Sequence, residues 1–178
     1  MIKVLINGCN GKMGQELSKK ISETQDIEVL CGVDKIDTGD NHFPVFTNIP
    51  DINLIPDVII DFSVPIATFP ILEFAKEKHI PIVIATTGFT EKEEQKIQEI
   101  SKVLPIFKSS NMSYEINLMS KIVATLAQKL PDSDIEIVET HHNRKIDSPS
   151  GTALILADSI NKACDNSFNY EYNRHAKR

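Results

Sequence analysis

Two periods of hydrophobic recurrence alternate along this chain, one suited to strands and one to helices. Ile2 to Asn7 is a short run rich in branched residues and reads as a buried strand. Gly8-Cys9-Asn10-Gly11-Lys12-Met13-Gly14 breaks it, and a helical pattern carried by Leu17 and Ile21 follows. Ile27 to Val33 reads as a second strand that ends at Asp34-Lys35, before a polar loop from Asp37 to His42. Asp57 to Asp61 is a third apolar segment, Pro65 to Lys78 an amphipathic helix, and Ile80 to Ala85 a further strand. Thr90-x-x-Glu93 has the form of a capping box, which predicts a helix from Glu91 to Ser101. Leu104 to Phe107 adds a strand at a sheet edge, where Pro105 is tolerated. From Met112 onward Ile116, Met119, Ile122, Val123, Leu126 and Leu130 recur at helical spacing, predicting a long core-facing stripe in which the methionines are filler.

Strands separated by helices imply parallel pairing through right-handed crossovers. The expected class is therefore α/β, a Rossmann-like doubly wound parallel sheet over residues 1–111 with its ligand crevice at the strands' C-terminal ends. The organisation changes after Pro131. Asp134 to Glu139 alternates like a strand with one better-buried face, a helix from Gly151 to Lys162 follows, and a polar tail runs from Asp165 to Arg178. One strand and one helix cannot close a core of their own. Residues 112–178 thus read as an incomplete α+β substrate or oligomerisation domain, one that packs on a partner chain or belongs to a longer sequence.

At 178 residues, 41% hydrophobic and 25% charged, the chain has the make-up of an ordinary globular protein. Nineteen basic against 25 acidic residues leave a formal charge of -6. That balance argues against nucleic acid or an anionic membrane as the main partner, so an anionic ligand must be drawn by a local positive patch. No run approaches the length of a bilayer span, and no secretory leader is read at the N-terminus. Cys9, Cys31 and Cys164 are odd in number, scattered and outside any C-x-x-C pair. They predict free thiols in a reducing, cytoplasmic setting.

Gly8-x-x-Gly11-x-x-Gly14 is a dinucleotide turn with its middle glycine one position later than in G-x-G-x-x-G. A strand enters it, a helix leaves it, and a second strand ends in Asp34, 20 residues past the last glycine. The glycines admit the turn and let a pyrophosphate approach the backbone of Cys9, Asn10, Lys12 and Met13, while Asp34 is suited to the adenosine ribose hydroxyls. Lys35 beside it can accommodate a 2′-phosphate, so the expected cofactor is NADH or NADPH. Lys12 can meet phosphate, or stand solvated at the helix start. Phe62-Ser63, Ala85-Thr86-Thr87-Gly88-Phe89 and Ser109-Ser110-Asn111-Met112 follow predicted strands and should face the same crevice. Their small and hydroxyl-bearing residues suit the nicotinamide carboxamide and ribose, although each segment taken singly is a loop with turn residues.

The second concentration of chemistry runs from His141 to Thr152, with two imidazoles, the cations Arg144 and Lys145, and a run of hydroxyls. Pro149 stops any helix arriving from upstream, and Ser150 can cap the one that follows. The N–H groups of Gly151 and Thr152 would then point at an anion. Adjacent histidines on an extended segment point to opposite faces, and no third ligand at metal spacing accompanies them, so no metal site is expected and a zinc hydrolase is the weaker reading. A proton donor beside a cationic anchor fits better: imidazole is the side chain that changes charge near neutral pH, and an ammonium next to a helix start makes a carboxylate site.

Taken together, Gly8 to Gly14, Asp34-Lys35, Asp61-Phe62-Ser63, Thr86-Thr87-Gly88 and the string His-His-x-x-Lys-x-Asp-x-Pro-Ser-Gly-Thr-Ala from His141 resemble the dihydrodipicolinate (4-hydroxy-tetrahydrodipicolinate) reductase family. The resemblance spans the chain up to about Ala163. It implies NAD(P)H-dependent reduction of 4-hydroxy-tetrahydrodipicolinate, a cyclic dicarboxylate, to tetrahydrodipicolinate in diaminopimelate and lysine biosynthesis. It implies His141 as proton donor, Lys145 as its assistant, His142 as a substrate contact, and Ser150, Gly151 and Thr152 as a carboxylate cradle. Ala85 stands where the family usually has glycine, and Met112 where an aromatic is common. Family members run on past Arg178 into a tetramer-building sheet, so the resemblance implies a C-terminally truncated chain and a homo-oligomer in the complete form. The alternative is a non-catalytic dinucleotide-binding fragment.

Overall fold

Branched residues at alternate positions of Ile2–Asn7 commit that segment to a strand, β1, whose two faces are both covered. Val4 and Ile6 pack on one side with Cys9 and Ile21, and Leu5 on the other with Ile59, Ile71, Leu72, Ile82, Ile84 and Leu104. The computed structural model describes residues 1–109, 111–143 and 148–172. The chain divides into two compact units, Met1–Ser110 and Asn111–Arg178, a boundary one residue from the expected one.

In the first unit β1 is followed by α1 (Lys12–Ser22), β2 (Ile27–Val33), β3 (Val45–Phe46), a 3-10 turn at Ile49–Asp51, β4 (Val58–Asp61), α2 (Pro65–Lys78), β5 (Ile82–Ile84), α3 (Glu91–Ile100) and β6 (Ile106–Lys108). The strands lie in the order β3-β2-β1-β4-β5-β6, all parallel. This is the doubly wound sheet expected, with its switch point between β1 and β4. α2 buries Thr68, Ile71, Leu72 and Ala75 at the spacing of one helix face. α3 begins at the expected capping box, with Thr90 accepting from the Glu93 N–H and the Glu93 side chain accepting from the Thr90 N–H. β6 is the edge strand, and Pro105 sits just before it. β3 was not anticipated; two residues are too few for a period, and the pairing with β2 creates it, aided by the Gly32 N–H donating to Pro44 O at 2.9 Å.

In the second unit α4 (Tyr114–Lys129) packs on α5 (Gly151–Ala163), and Gln128 Nε2 donates to Ala163 O at 2.8 Å. Two expectations need correction there. Asp134 to Glu139 forms no strand but an exposed stretch without regular secondary structure. Alternation equips a segment for pairing, but among the described residues no strand of this unit is present to accept its backbone groups. Most of the stripe on α4 is not core-facing either: Met119, Ile122, Leu126 and Leu130 are exposed, Leu126 by 52%, while Ile116 and Val123 are half-buried, and Met112 is exposed as well. Among the described residues α5 packs on α4, whose buried Ser120 and Ala127 lie on the side flanked by half-buried Ile116 and Val123. The methionines are therefore surface residues, not filler.

Candidate active site

At the C-terminal end of β1 the chain turns in a space too small for side chains. Gly8 has φ +82°, and a Cβ on it would stand 2.7 Å from Phe62 O; a Cβ on Gly14 would stand 2.2 Å from Gly8 O. Gly11 is the N-cap of α1 and supplies no side-chain hydrogen bond, so the first-turn amides are left to an outside acceptor. The turn is tied to β2 by the Gly8 N–H donating to Val33 O at 2.8 Å. Asp34, at the end of β2, accepts from the Asn10 N–H through Oδ2 and from the Lys35 N–H through Oδ1, each at 2.8 Å. Asn10 in turn donates to Ile36 O at 2.7 Å and accepts from Asn41 Nδ2 at 2.8 Å, which straps the β2–β3 loop to the turn.

An uncapped helix start, a glycine turn and an acidic residue at the neighbouring strand end fit a dinucleotide. Gly8, Asn10, Gly11, Gly14 and Asp34 are brought together as the sequence suggested. Lys12, Met13 and Lys35 are exposed around them. Cys9 turns inward: it is fully buried, and burial first, then the Asp34 charge, pushes its thiol up to about 12. Only its backbone remains for a ligand.

The remaining strand ends converge on one carboxylate, which the family resemblance placed at the cofactor through Asp61-Phe62-Ser63 but whose bonding network the sequence did not reveal. Asp61 closes β4 and accepts from Asn7 Nδ2, Ser63 Oγ, Thr68 Oγ1 and Thr86 Oγ1. The Thr86 hydroxyl is therefore directed into the protein, while Thr87 and Gly88 are exposed and Phe62 and Ala85 half-buried. Phe89 anchors that loop, edge-on to Phe69 at 6.1 Å, with Lys108 Nζ 5.2 Å from its ring. The Ser109 N–H donates to Ile84 O at 3.2 Å, and Ser110 lies outside the described residues. One signal could have found the network. Asn7 and Asp61 each end an apolar strand, and they are direct partners in the β1–β4 register.

In the second unit Ser150 caps α5 as expected, its Oγ accepting from the Ala153 N–H at 3.1 Å. This leaves the N–H groups of Gly151 and Thr152 at the helix start. The Ser150 N–H is taken by Glu139 Oε1 at 2.8 Å, and Glu139 Oε2 lies 3.5 Å from His141 Nδ1. Glu139 is a second residue that sequence reasoning missed. Its signal is the i, i+2 spacing, which puts it on the same face of the extended segment as His141. Asn111 Nδ2 donates to Thr152 Oγ1 at 3.3 Å, so Asn111, expected at the cofactor, stands beside a residue expected at the substrate. His142 is exposed, and Arg144 and Lys145 lie outside the described residues.

Comparison with known proteins bears on both groups of residues. The family profile described as dihydrodipicolinate reductase, N-terminus, matches residues 2–112, and that described as dihydrodipicolinate reductase, C-terminus, matches residues 115–178. A 4-hydroxy-tetrahydrodipicolinate reductase of Clostridium tetani is 44% identical over 181 residues, covering 100% of this chain and 71% of the relative. One of Caldanaerobacter subterraneus subsp. tengcongensis is 45% identical over 177 residues, covering 99% of this chain and 70% of its own length. A dipicolinate-bound dihydrodipicolinate reductase structure from Paenisporosarcina sp. TG-14 superposes with a TM-score of 0.79 at 30% identity, over 99% of this chain and 71% of that one. A scyllo-inositol dehydrogenase from Lactobacillus casei matches at 15% identity and TM-score 0.53, over 74% of this chain and 41% of the other, which is a likeness of fold alone.

Proposed function

From the premise that this chain belongs to the dihydrodipicolinate reductase family, we infer that it is an NAD(P)H-dependent 4-hydroxy-tetrahydrodipicolinate reductase acting in diaminopimelate and lysine biosynthesis. One observation carries the reading: the glycine turn with Asp34 at its mouth and the His141-to-Thr152 string occur in a single chain, each inside its own half of the family match. The reaction removes a hydroxyl as water and adds a hydride and a proton. NADH or NADPH, when bound, supplies the hydride.

The chain's own residues do the rest. The α1 amides and Gly8 to Gly14 take the pyrophosphate, and Asp34 the adenosine ribose. Phe62, Ala85 to Thr87, and Ser109 to Met112 are assigned to the cofactor by the same reading. In the second unit the Gly151 and Thr152 amides hold a substrate carboxylate, with His142 and Lys145 contributing further contacts. Glu139 at Nδ1 of His141 holds the imidazole so that Nε2 is the nitrogen offered to substrate, the role an orienting carboxylate plays for a general acid. Association of copies belongs to the same reading and is supported by the uncovered apolar stripe of α4. Among the described residues no helix is long and apolar enough to cross a membrane.

The test is consumption of NADH or NADPH absorbance with freshly generated substrate. His141→Ala is expected to slow turnover by about two to four orders of magnitude while nucleotide affinity stays unchanged. Parallel losses of both would reject the role given to His141. Nucleotide binding without turnover in the unaltered chain would favour a non-catalytic binding fragment.

A further inference from the structure

We propose that Asp61 is the positioning residue of the nicotinamide half of the crevice, its carboxylate setting the spacing of the two loops over which that half of the dinucleotide lies. The role rests on the dinucleotide reading above. Asp61 is 0% exposed. Its Oδ1 accepts from Asn7 Nδ2 at 2.8 Å, from Ser63 Oγ at 2.5 Å and from the Ser63 N–H at 3.2 Å; its Oδ2 accepts from Thr68 Oγ1 at 2.6 Å and Thr86 Oγ1 at 2.9 Å. All of these partners are neutral. Asn7, Thr68 and Thr86 are themselves buried.

A carboxylate removed from water without a cation beside it is costly, and one more isoleucine at the end of Val58-Ile59-Ile60 would avoid that cost. What the five bonds provide is geometry. The donors hang on four separate pieces of backbone: the end of β1, the loop after β4, the first turn of α2 and the start of the loop after β5. Short bonds to a carboxylate fix all four at once.

Sheet order decides which part of a dinucleotide depends on them. β1 and β4 flank the switch point, and Asp34 ends β2 on one side of it. An adenosine ribose held by Asp34 lies on the β2 side, which leaves the other mononucleotide over β4 and β5. Phe62 and Ser63 abut the glycine turn, within 3.1 Å of a Cβ placed on Gly8. The Ala85 N–H donates to Asp61 O at 2.9 Å, so the loop after β5 is tied to the same residue through backbone as well as through Thr86. Asp61 thus stands beneath both loops and makes no bond to Asp34 or to the α1 amides.

Calorimetry of NADH and of ADP-ribose on the full chain, joined to hydrogen exchange of the amides of Phe62, Ser63 and residues 85–88, tests the role. Asp61→Asn puts an NH2 group where an oxygen accepted. It is expected to speed exchange in both loops and to weaken NADH about tenfold while ADP-ribose changes by less than about twofold, since only the nicotinamide half rests on the displaced loops. Should that variant not fold, Thr86→Val is held to the same criteria with a smaller effect, and Thr86→Ser, which keeps the hydroxyl, is expected to restore wild-type behaviour. Equal weakening of NADH and ADP-ribose, or unchanged exchange in the loops, would overturn the proposal. An unaltered chain that binds neither nucleotide would sink the dinucleotide reading itself, and this role with it.

Discussion

Asp34, Asn10 and Cys9 show how one residue's chemistry depends on its neighbour's backbone. Asp34 holds the Asn10 N–H, Asn10 reaches back to Ile36 and Asn41, and the intervening Cys9 is left pointing into the core. Burial and the Asp34 charge raise the Cys9 thiol from 9.0 to about 12, and burial raises Cys31 from 9.0 to about 11. A thiol with a raised folded pKa loses its proton first in the unfolded chain. Its contribution to stability is therefore complete below 9.0 and is lost as pH climbs toward about 11 for Cys31 and about 12 for Cys9. In a mildly alkaline titration with a thiol-reactive chromophore, half-buried Cys164 is expected to react alone in the folded protein, with Cys9 and Cys31 following only after denaturant is added. Prompt reaction of all three would contradict the burial. The glycines and Asp34 were legible because spacing alone identifies them. Asn7 was not, because its partner Asp61 is brought near only by folding; Asp61 was named only through the family resemblance, and Glu139 was missed although its i, i+2 spacing from His141 is local, because its bond to the Ser150 N–H is not.

Helix starts were the most legible elements, since a cap is a local bond between neighbours in sequence. Thr90 with Glu93 and Ser150 with Ala153 form as the residues dictate. Ser150→Ala removes the side-chain acceptor that caps the start of α5, and a loss of about 1 kcal/mol is expected in a denaturant melt. Thr90→Ala should cost about the same on α3. The two variants are expected to differ in function: Ser150→Ala disturbs the substrate-side helix start, whereas Thr90→Ala leaves turnover intact. Equal turnover in both would deny the α5 start a part in the reaction. Asp134 to Glu139 shows the limit of reading elements locally. Its alternation is real, yet a strand is a property of a pair, and no partner strand stands among the described residues of its unit.

On the scale of the whole molecule, hydrophobic periodicity says which residues want cover and not what covers them. Strands β1, β2 and β4 of the first unit contribute to core clusters on both faces of the sheet, so their apolar runs end in a core as expected, whereas Phe107 on the edge strand is exposed. The stripe on α4 has the same periodicity, yet Met119, Ile122, Leu126 and Leu130 on it remain exposed. Leu126→Lys is therefore expected to change folding stability by no more than about 0.5 kcal/mol, whereas Leu5→Ala in the sheet should cost about 2–5 kcal/mol. If copies associate through the stripe, Leu126→Lys should also lower the particle mass measured by light scattering. A large loss of stability at Leu126 would show that the stripe is covered within the chain.

The sequence by itself determined the order of the strands and helices of the first unit apart from β3, the glycine turn with its acidic partner, and the caps of α3 and α5. These depend on steric limits and hydrogen bonds between residues close along the chain. Only the tertiary structure decided that Asp61 gathers Asn7, Ser63, Thr68 and Thr86, that Glu139 bridges His141 and the Ser150 N–H, and that Met119, Ile122, Leu126 and Leu130 on α4 face outward. The physical reason is the same in each case. Burying a charge, linking His141 through Glu139 to the start of α5 and covering an apolar face all depend on groups that the linear order keeps apart, and it is the packing of whole elements that brings them together or leaves them in water.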